Sequence, residues 1–96
     1  MEMPDQVREV CRVMKANAEE ARELEDSVYV SYHKPETWNT LGCAEWCVGD
    51  NYERGSFSMI FRDGKWFYRD KWTGEDKEMV GGFKEAVGNA SIWYTG

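Results

Sequence analysis

At 96 residues the chain has room for one core and no second lobe, so residues 1–96 are read as a single α+β domain. Hydrophobic residues make up 42% of it and aromatics 15%, enough apolar surface to fold alone, while a net charge of −6 argues against nucleic acid as a partner. No run approaches the roughly 18 apolar residues of a membrane span, and Met1–Met14 is charged throughout and lacks a signal-peptide core; the expectation is a cytoplasmic protein with no membrane partner.

Residues 4–26 have helical periodicity. Val7, Val10, Cys11, Met14, Ala18, Ala21 and Leu24 fall on one stripe, and Pro4 suits a first turn, where its missing N–H costs nothing. Glu2 and Asp5 complement the positive end of the helix dipole, whereas Glu20, Glu23, Glu25 and Asp26 crowd its negative end. Basic residues such as Arg69 or Lys71 lying nearby would offset that acidic end; otherwise it is an acidic knob for a basic partner.

Ser27 to His33 alternates as a strand, with Val28, Val30 and Tyr32 on one side and Tyr29, Ser31 and His33 on the other; Pro35 ends it. Residues 41–49, bounded by Gly42 and Gly49, are read as a short strand, with a helical turn from near Thr37 as the competitor. Residues 50–55 form a loop.

Ser56 to Trp72 is two β-type runs joined by Asp63-Gly64, the dipeptide favoured in two-residue hairpin loops because both positions need φ > 0. With that loop, Arg62 faces Lys65, Phe61 faces Trp66, Met59 faces Tyr68 and Phe57 faces Asp70. One face then holds Phe57, Met59, Phe61, Trp66, Tyr68 and Trp72, with Asp70 among them. The other holds Ser56, Ser58, Arg62, Lys65, Arg69 and Lys71 around an exposed Ile60–Phe67 pair. Residues 54–71 carry five bases and two acids, a basic island on an acidic chain.

Thr73 to Asp76 predicts a turn leading into a helix over Met79, Val80, Phe83, Ala86 and Val87, interrupted by Gly81-Gly82 and stopped at Gly88. Ala90 to Thr95 reads as a last strand. The resulting fold is a long N-terminal helix packed on a 4–5-stranded antiparallel sheet, with a central Asp-Gly hairpin and a short second helix near the C-terminus. In outline the order resembles cystatin-like and nuclear-transport-factor-like helix-on-sheet architectures, a likeness of topology that implies no function.

Several constellations bear on chemistry. Cys11, Cys43, Cys47 and His33 have the composition of a zinc ligand set but no knuckle spacing, and packed, reduced thiols are the expected reading, with no metal or cofactor. His33 is the single histidine, so any Ser–His or Cys–His pair must use it. Asp70, a carboxylate on an aromatic face, is the favoured single site residue, because apolar surroundings suit a carboxylate to general acid–base work and neighbouring π-faces attract the same cations; the competing reading is a strand end that emerges there, with Asp70 hydrated or paired with Arg54. Gly-rich phosphate loops are absent.

The leading expectation is a non-enzymatic binding domain for an apolar or cationic small molecule. Its pocket lies between helix and sheet and is lined by Trp46, Trp66, Tyr68, Trp72 and Trp93, with Asp70 setting the polarity. The first alternative is a protein-interaction or inhibitory module using the acidic helix end or the basic hairpin face, the latter also a homodimer surface. The second is a small hydrolase or isomerase that requires Asp70 and His33 to converge.

Overall fold

Asp63-Gly64 turns the chain as the sequence predicts. Asp63 has φ 54° and Gly64 φ 74°, and the hairpin they close pairs Arg62 with Lys65, Phe61 with Trp66, Met59 with Tyr68 and Phe57 with Asp70. The computed structural model describes residues 2–20, 28–34, 44–50 and 57–93. Its elements run α1 (Asp5–Glu20), β1 (Val28–His33), β2 (Glu45–Asp50), β3 (Phe57–Arg62), β4 (Lys65–Asp70), β5 (Asp76–Glu78) and α2 (Gly82–Ser91). The five strands form an antiparallel meander in sequence order, with β1 and β5 at its edges.

Period-2 alternation divides the sheet into two faces. Val28, Val30, Tyr32, Trp46, Val48, Met59, Phe61, Trp66 and Tyr68 share one face through the observed registers, and both helices pack on it. The α1 stripe is buried there at Val7, Val10, Cys11, Met14 and Ala18, beside Met79, Ala86 and Ala90. α1 lies over β1 and β2, α2 lies over β4, and the two helices touch along their flanks. The Arg8 N–H bonds to the Pro4 carbonyl at 3.0 Å, which places the proline just ahead of the helix, where it removes no needed donor.

Three sequence expectations change. Residues 76–78 are strand β5 rather than a lead into helix: Gly74, at φ 76°, donates its N–H to the Asp70 carbonyl and reverses the chain onto β4. The second helix starts at Gly82, where the Gly81 N–H bonds to Glu85 Oε1 at 2.9 Å, and it runs through Gly88 to Ser91. Ala90 and Ser91 are therefore helical and Ile92 and Trp93 form a turn, so the described part of the expected last strand is not a strand, residues 94–96 lie outside the described residues, and the fifth strand is Asp76–Glu78. Burial of Ala86 and Ala90 holds the helix together across the glycine. Residues 21–27, 35–43 and 51–56, including Glu23, Glu25, Asp26 and Cys43, lie outside the described residues.

Two glycines invite opposite outcomes. Gly64→Ala puts a β-carbon at φ 74° and is expected to cost about 1–2 kcal/mol. Gly88→Ala adds a helix-favouring methyl into open space and is expected to gain about 1 kcal/mol. Urea midpoints of the two variants, moving in opposite directions from the parent, check both.

Candidate functional site

The six residues expected to line a pocket occupy distinct structural positions. Trp66 is 1% exposed, part of the core, and donates its indole N–H to Gln6 Oε1 at 2.9 Å. Trp46 is half-buried in the same cross-strand row and tilts against Tyr32 at 4.9 Å between ring centroids. Tyr68, one row along, donates its hydroxyl to Glu85 and accepts from Asn89 Nδ2 at 2.6 Å, tying β4 to α2. Burial, together with the Glu85 carboxylate, pushes the Tyr68 phenol above its usual pKa. Trp93 donates its indole N–H to the buried Asp50 carboxylate.

Asp70 and Trp72 stand apart from these four. The Asp70 carboxylate accepts the backbone N–H groups of Trp72 at 2.7 Å and Thr73 at 3.0 Å. Its own N–H and carbonyl close the loop on Glu75 and Gly74, and Thr73 Oγ1 accepts from the Glu75 N–H at 3.2 Å. This is an aspartate turn, in which a short carboxylate takes the place of backbone acceptors. It explains why an acid ends an aromatic strand, and it holds Trp72 at 88% exposure. Trp66 is packed in the core and Trp72 projects into water. A groove of about 660 Å³ between α1 and the end of α2, lined by Arg12, Val13, Ala16, Asn17, Glu19 and Ser91, contains none of them.

The opposite face of the sheet carries a charge cluster. Glu45, whose side chain is fully buried, accepts Arg69 Nη1 at 2.5 Å and Nη2 at 3.0 Å, Arg62 Nη1 at 3.4 Å and His33 Nδ1 at 3.0 Å. Asp76 accepts Arg69 Nε at 2.7 Å and Arg62 Nη1 at 2.7 Å. Arg69 therefore spends its planar fork on two carboxylates at once, the geometry guanidinium favours. Arg69 and Arg62 pair here with Glu45 and Asp76 rather than standing as a free basic face. Arg62 also lies 4.3 Å above the Phe67 ring, and Ile60 is fully buried, so the expected exposed Ile60–Phe67 pair is not present.

Burial alone raises the pKa of Glu45, but the hydrogen bonds from Arg69 and His33 outweigh it and hold the carboxyl below the usual range. Asp76 follows the same balance, with Arg69 and Arg62 as its donors. Both folded-state values are depressed, so their stabilisation is present above the unfolded carboxylate range, about pH 4, and is lost as pH falls through the lower folded values. The urea midpoint should hold between pH 7 and about pH 5 and drop steadily below about pH 4.

His33 points to the face opposite Asp70, so the two expected to converge for catalysis do not meet. His33 meets Ser31 instead, with Oγ 3.4 Å from Nε2, and Glu45 across the β1–β2 pair. The sequence did place Ser31 and His33 on one side; what it lacked was the register that brings Glu45 beside them. Cys11 is buried on the helix side and Cys47 on the far side, paired with Ser31 and Ile60, so the sheet separates two of the four suggested zinc ligands. Among the described residues no three His, Cys, Asp or Glu side chains group as metal ligands would, and no helix is long and apolar enough to cross a membrane.

No protein-family model, curated protein or solved structure matches this chain.

Proposed function

We propose that the chain is a small protein-binding domain that uses Trp72 as its anchor. The observation that carries this reading is the 88% exposure of Trp72 on a turn fixed by Asp70. Single exposed apolar residues are ordinary on protein surfaces. An indole on a hydrogen-bonded turn differs from them, because its position is set before binding and little backbone entropy remains to be lost on contact. Tryptophan is also enriched among the few residues that dominate interface energies. Covering an indole of about 150–250 Å² at about 25 cal/mol per Å² contributes roughly 4–6 kcal/mol before the cost of association.

The partner this fits is a protein with an apolar pocket deep enough for an indole. Two of the sequence-selected residues, Asp70 and Trp72, keep a role in this reading: Asp70 shapes the turn and Trp72 makes the contact. The protein-interaction reading gains over the small-molecule one because Trp66, one of the residues expected to line the pocket, is 1% exposed in the core.

Trp72→Ala should leave the urea midpoint within about 0.5 kcal/mol of the parent, as for surface substitutions generally. It should weaken partner binding by about thirty-fold or more, the effect of losing a residue worth about 2 kcal/mol. Affinity capture from source cells, run in parallel with the parent, Trp72→Ala and the exposed-site control Lys15→Ala, checks it. A protein held by the parent and Lys15→Ala but lost with Trp72→Ala is the expected result. Capture indifferent to Trp72→Ala contradicts the reading.

A further inference from the structure

Ser31, His33 and Glu45 lie in a line on the sheet face away from the helices. Ser31 Oγ is 3.4 Å from His33 Nε2, and His33 Nδ1 is 3.0 Å from Glu45 Oε2. The order is hydroxyl, imidazole, carboxylate, the arrangement in which a base activates a nucleophile and a third group orients the base. Strand periodicity produces the first contact, since residues two apart share a face, and the β1–β2 register produces the second by setting His33 opposite Glu45.

The proton positions follow from charge. Arg69 and His33 hold the Glu45 carboxyl below its usual range, so it is ionised near neutral pH and can only accept. Nδ1 of a neutral His33 must then carry the proton, which leaves the Nε2 lone pair facing Ser31, and the Ser31 hydroxyl donates to it. Glu45 itself is immobilised by Arg69 and Arg62, which fixes the ring plane through the hydrogen bond. Ser31 and His33 are both half-buried, on the edge strand β1, so a small reagent can reach them.

We propose that Ser31 is an acyl-accepting nucleophile, with His33 as its general base and Glu45 as the positioning residue, for small activated esters. In the acylation step Ser31 Oγ forms a bond to the ester carbonyl carbon while its proton passes to His33 Nε2. The carbonyl π pair moves to oxygen and returns as the bond to the leaving oxygen breaks. His33 Nε2 then protonates that oxygen, giving the free alcohol or phenol and a Ser31 ester. Water attacking with His33 again as base releases the carboxylic acid and restores the hydroxyl. The site uses none of the Trp72 turn, so this inference stands or fails separately from the binding reading.

The test is reaction of the folded chain with 4-nitrophenyl acetate, following 4-nitrophenolate release and locating the acetyl group by peptide mass spectrometry. The expected result is acetylation of Ser31 well ahead of the exposed Ser91, abolished at that position by Ser31→Ala and slowed about a hundred-fold by His33→Gln, the scale of a general base. Comparing Ser31 with Ser91 in the unmutated chain keeps the test decisive even if His33→Gln fails to fold. Acetyl confined to Cys47 or lysines, or a Ser31 rate that folded His33→Gln leaves unchanged, overturns the proposal. For Glu45, the readout is the Ser31-to-Ser91 acetylation ratio of Glu45→Gln and Glu45→Asp, each measured below its melting temperature. The carboxylate variant should keep the preference for Ser31 and the amide variant should lose it, and a ratio that folded Glu45→Gln leaves unchanged removes Glu45 from the assignment.

Discussion

Glu45→Gln is expected to destabilise the fold by about 3–5 kcal/mol, the cost of removing one partner from a buried ion pair. The physical reason is what remains. Arg62, 8% exposed, and Arg69, 18% exposed, would keep their two positive charges side by side and lose one of the two carboxylates, Glu45 and Asp76, that both now contact. An amide offers one oxygen where Arg69, Arg62 and His33 now share two. Domains of this size have total stabilities of about 5–15 kcal/mol, so a substantial part of the folding free energy is at stake. At roughly 4–8 °C per kcal/mol, the melting temperature should fall by about 12–40 °C. Glu75→Gln, on the exposed turn, should stay within about 0.5 kcal/mol. Thermal melts of both variants decide the matter, and equal melting temperatures would show that the cluster contributes little.

Trp66→Ala should cost about 3–5 kcal/mol, as large aromatic truncations in cores do. Trp66 is 1% exposed, stands 5.1 Å from Phe61 between ring centroids and belongs to the cluster that joins Val7, Val10 and Met14 of α1 to Met59 and Met79. Removing the indole opens a cavity between helix and sheet and deletes the bond to Gln6. Trp72→Ala removes the same side chain at an 88% exposed position and should cost almost nothing in stability. Urea titrations of the two variants, read as midpoints at unchanged slope, separate a core tryptophan from a displayed one.

Much of the fold is legible in the sequence, for local reasons. Asp63-Gly64 fixes a two-residue loop, and the loop fixes the β3–β4 register residue by residue. The α1 stripe is written at helical spacing, and its described part is buried as expected. The stretch after Trp72 is less legible. Asp76, Lys77 and Glu78 have no β-type side chains, and what makes them a strand is backbone pairing to β4 once Gly74 has reversed the chain. Ile92 and Trp93 look like strand residues, but the helix carried by Ala86 and Ala90 runs on past Gly88 and leaves them in a turn.

The sites were less visible than the fold. Trp66 and Trp72 are the same residue type six positions apart, on a pattern that placed both on the aromatic face; the chain leaves the sheet at Asp70, and only one of them stays inside. The Glu45 cluster depends on the β1–β2 register, and the connection across residues 34–44 has no turn motif that would set it. In the sequence Asp70 reads as a carboxylate on an apolar face. Its two backbone hydrogen bonds show why an acid belongs there without any reaction to perform.

The most direct test of the Trp72 anchor is ¹⁹F NMR of the chain labelled with 5-fluorotryptophan, with the Trp72 signal assigned by Trp72→Phe. In buffer, that resonance should show the solvent isotope shift of an exposed indole, and Trp66 should show none. On addition of source-cell extract, the account predicts that the Trp72 resonance broadens or moves and loses its solvent shift while that of Trp66 stays unchanged. A Trp72 signal that remains sharp and solvent-exposed in the extract would contradict it.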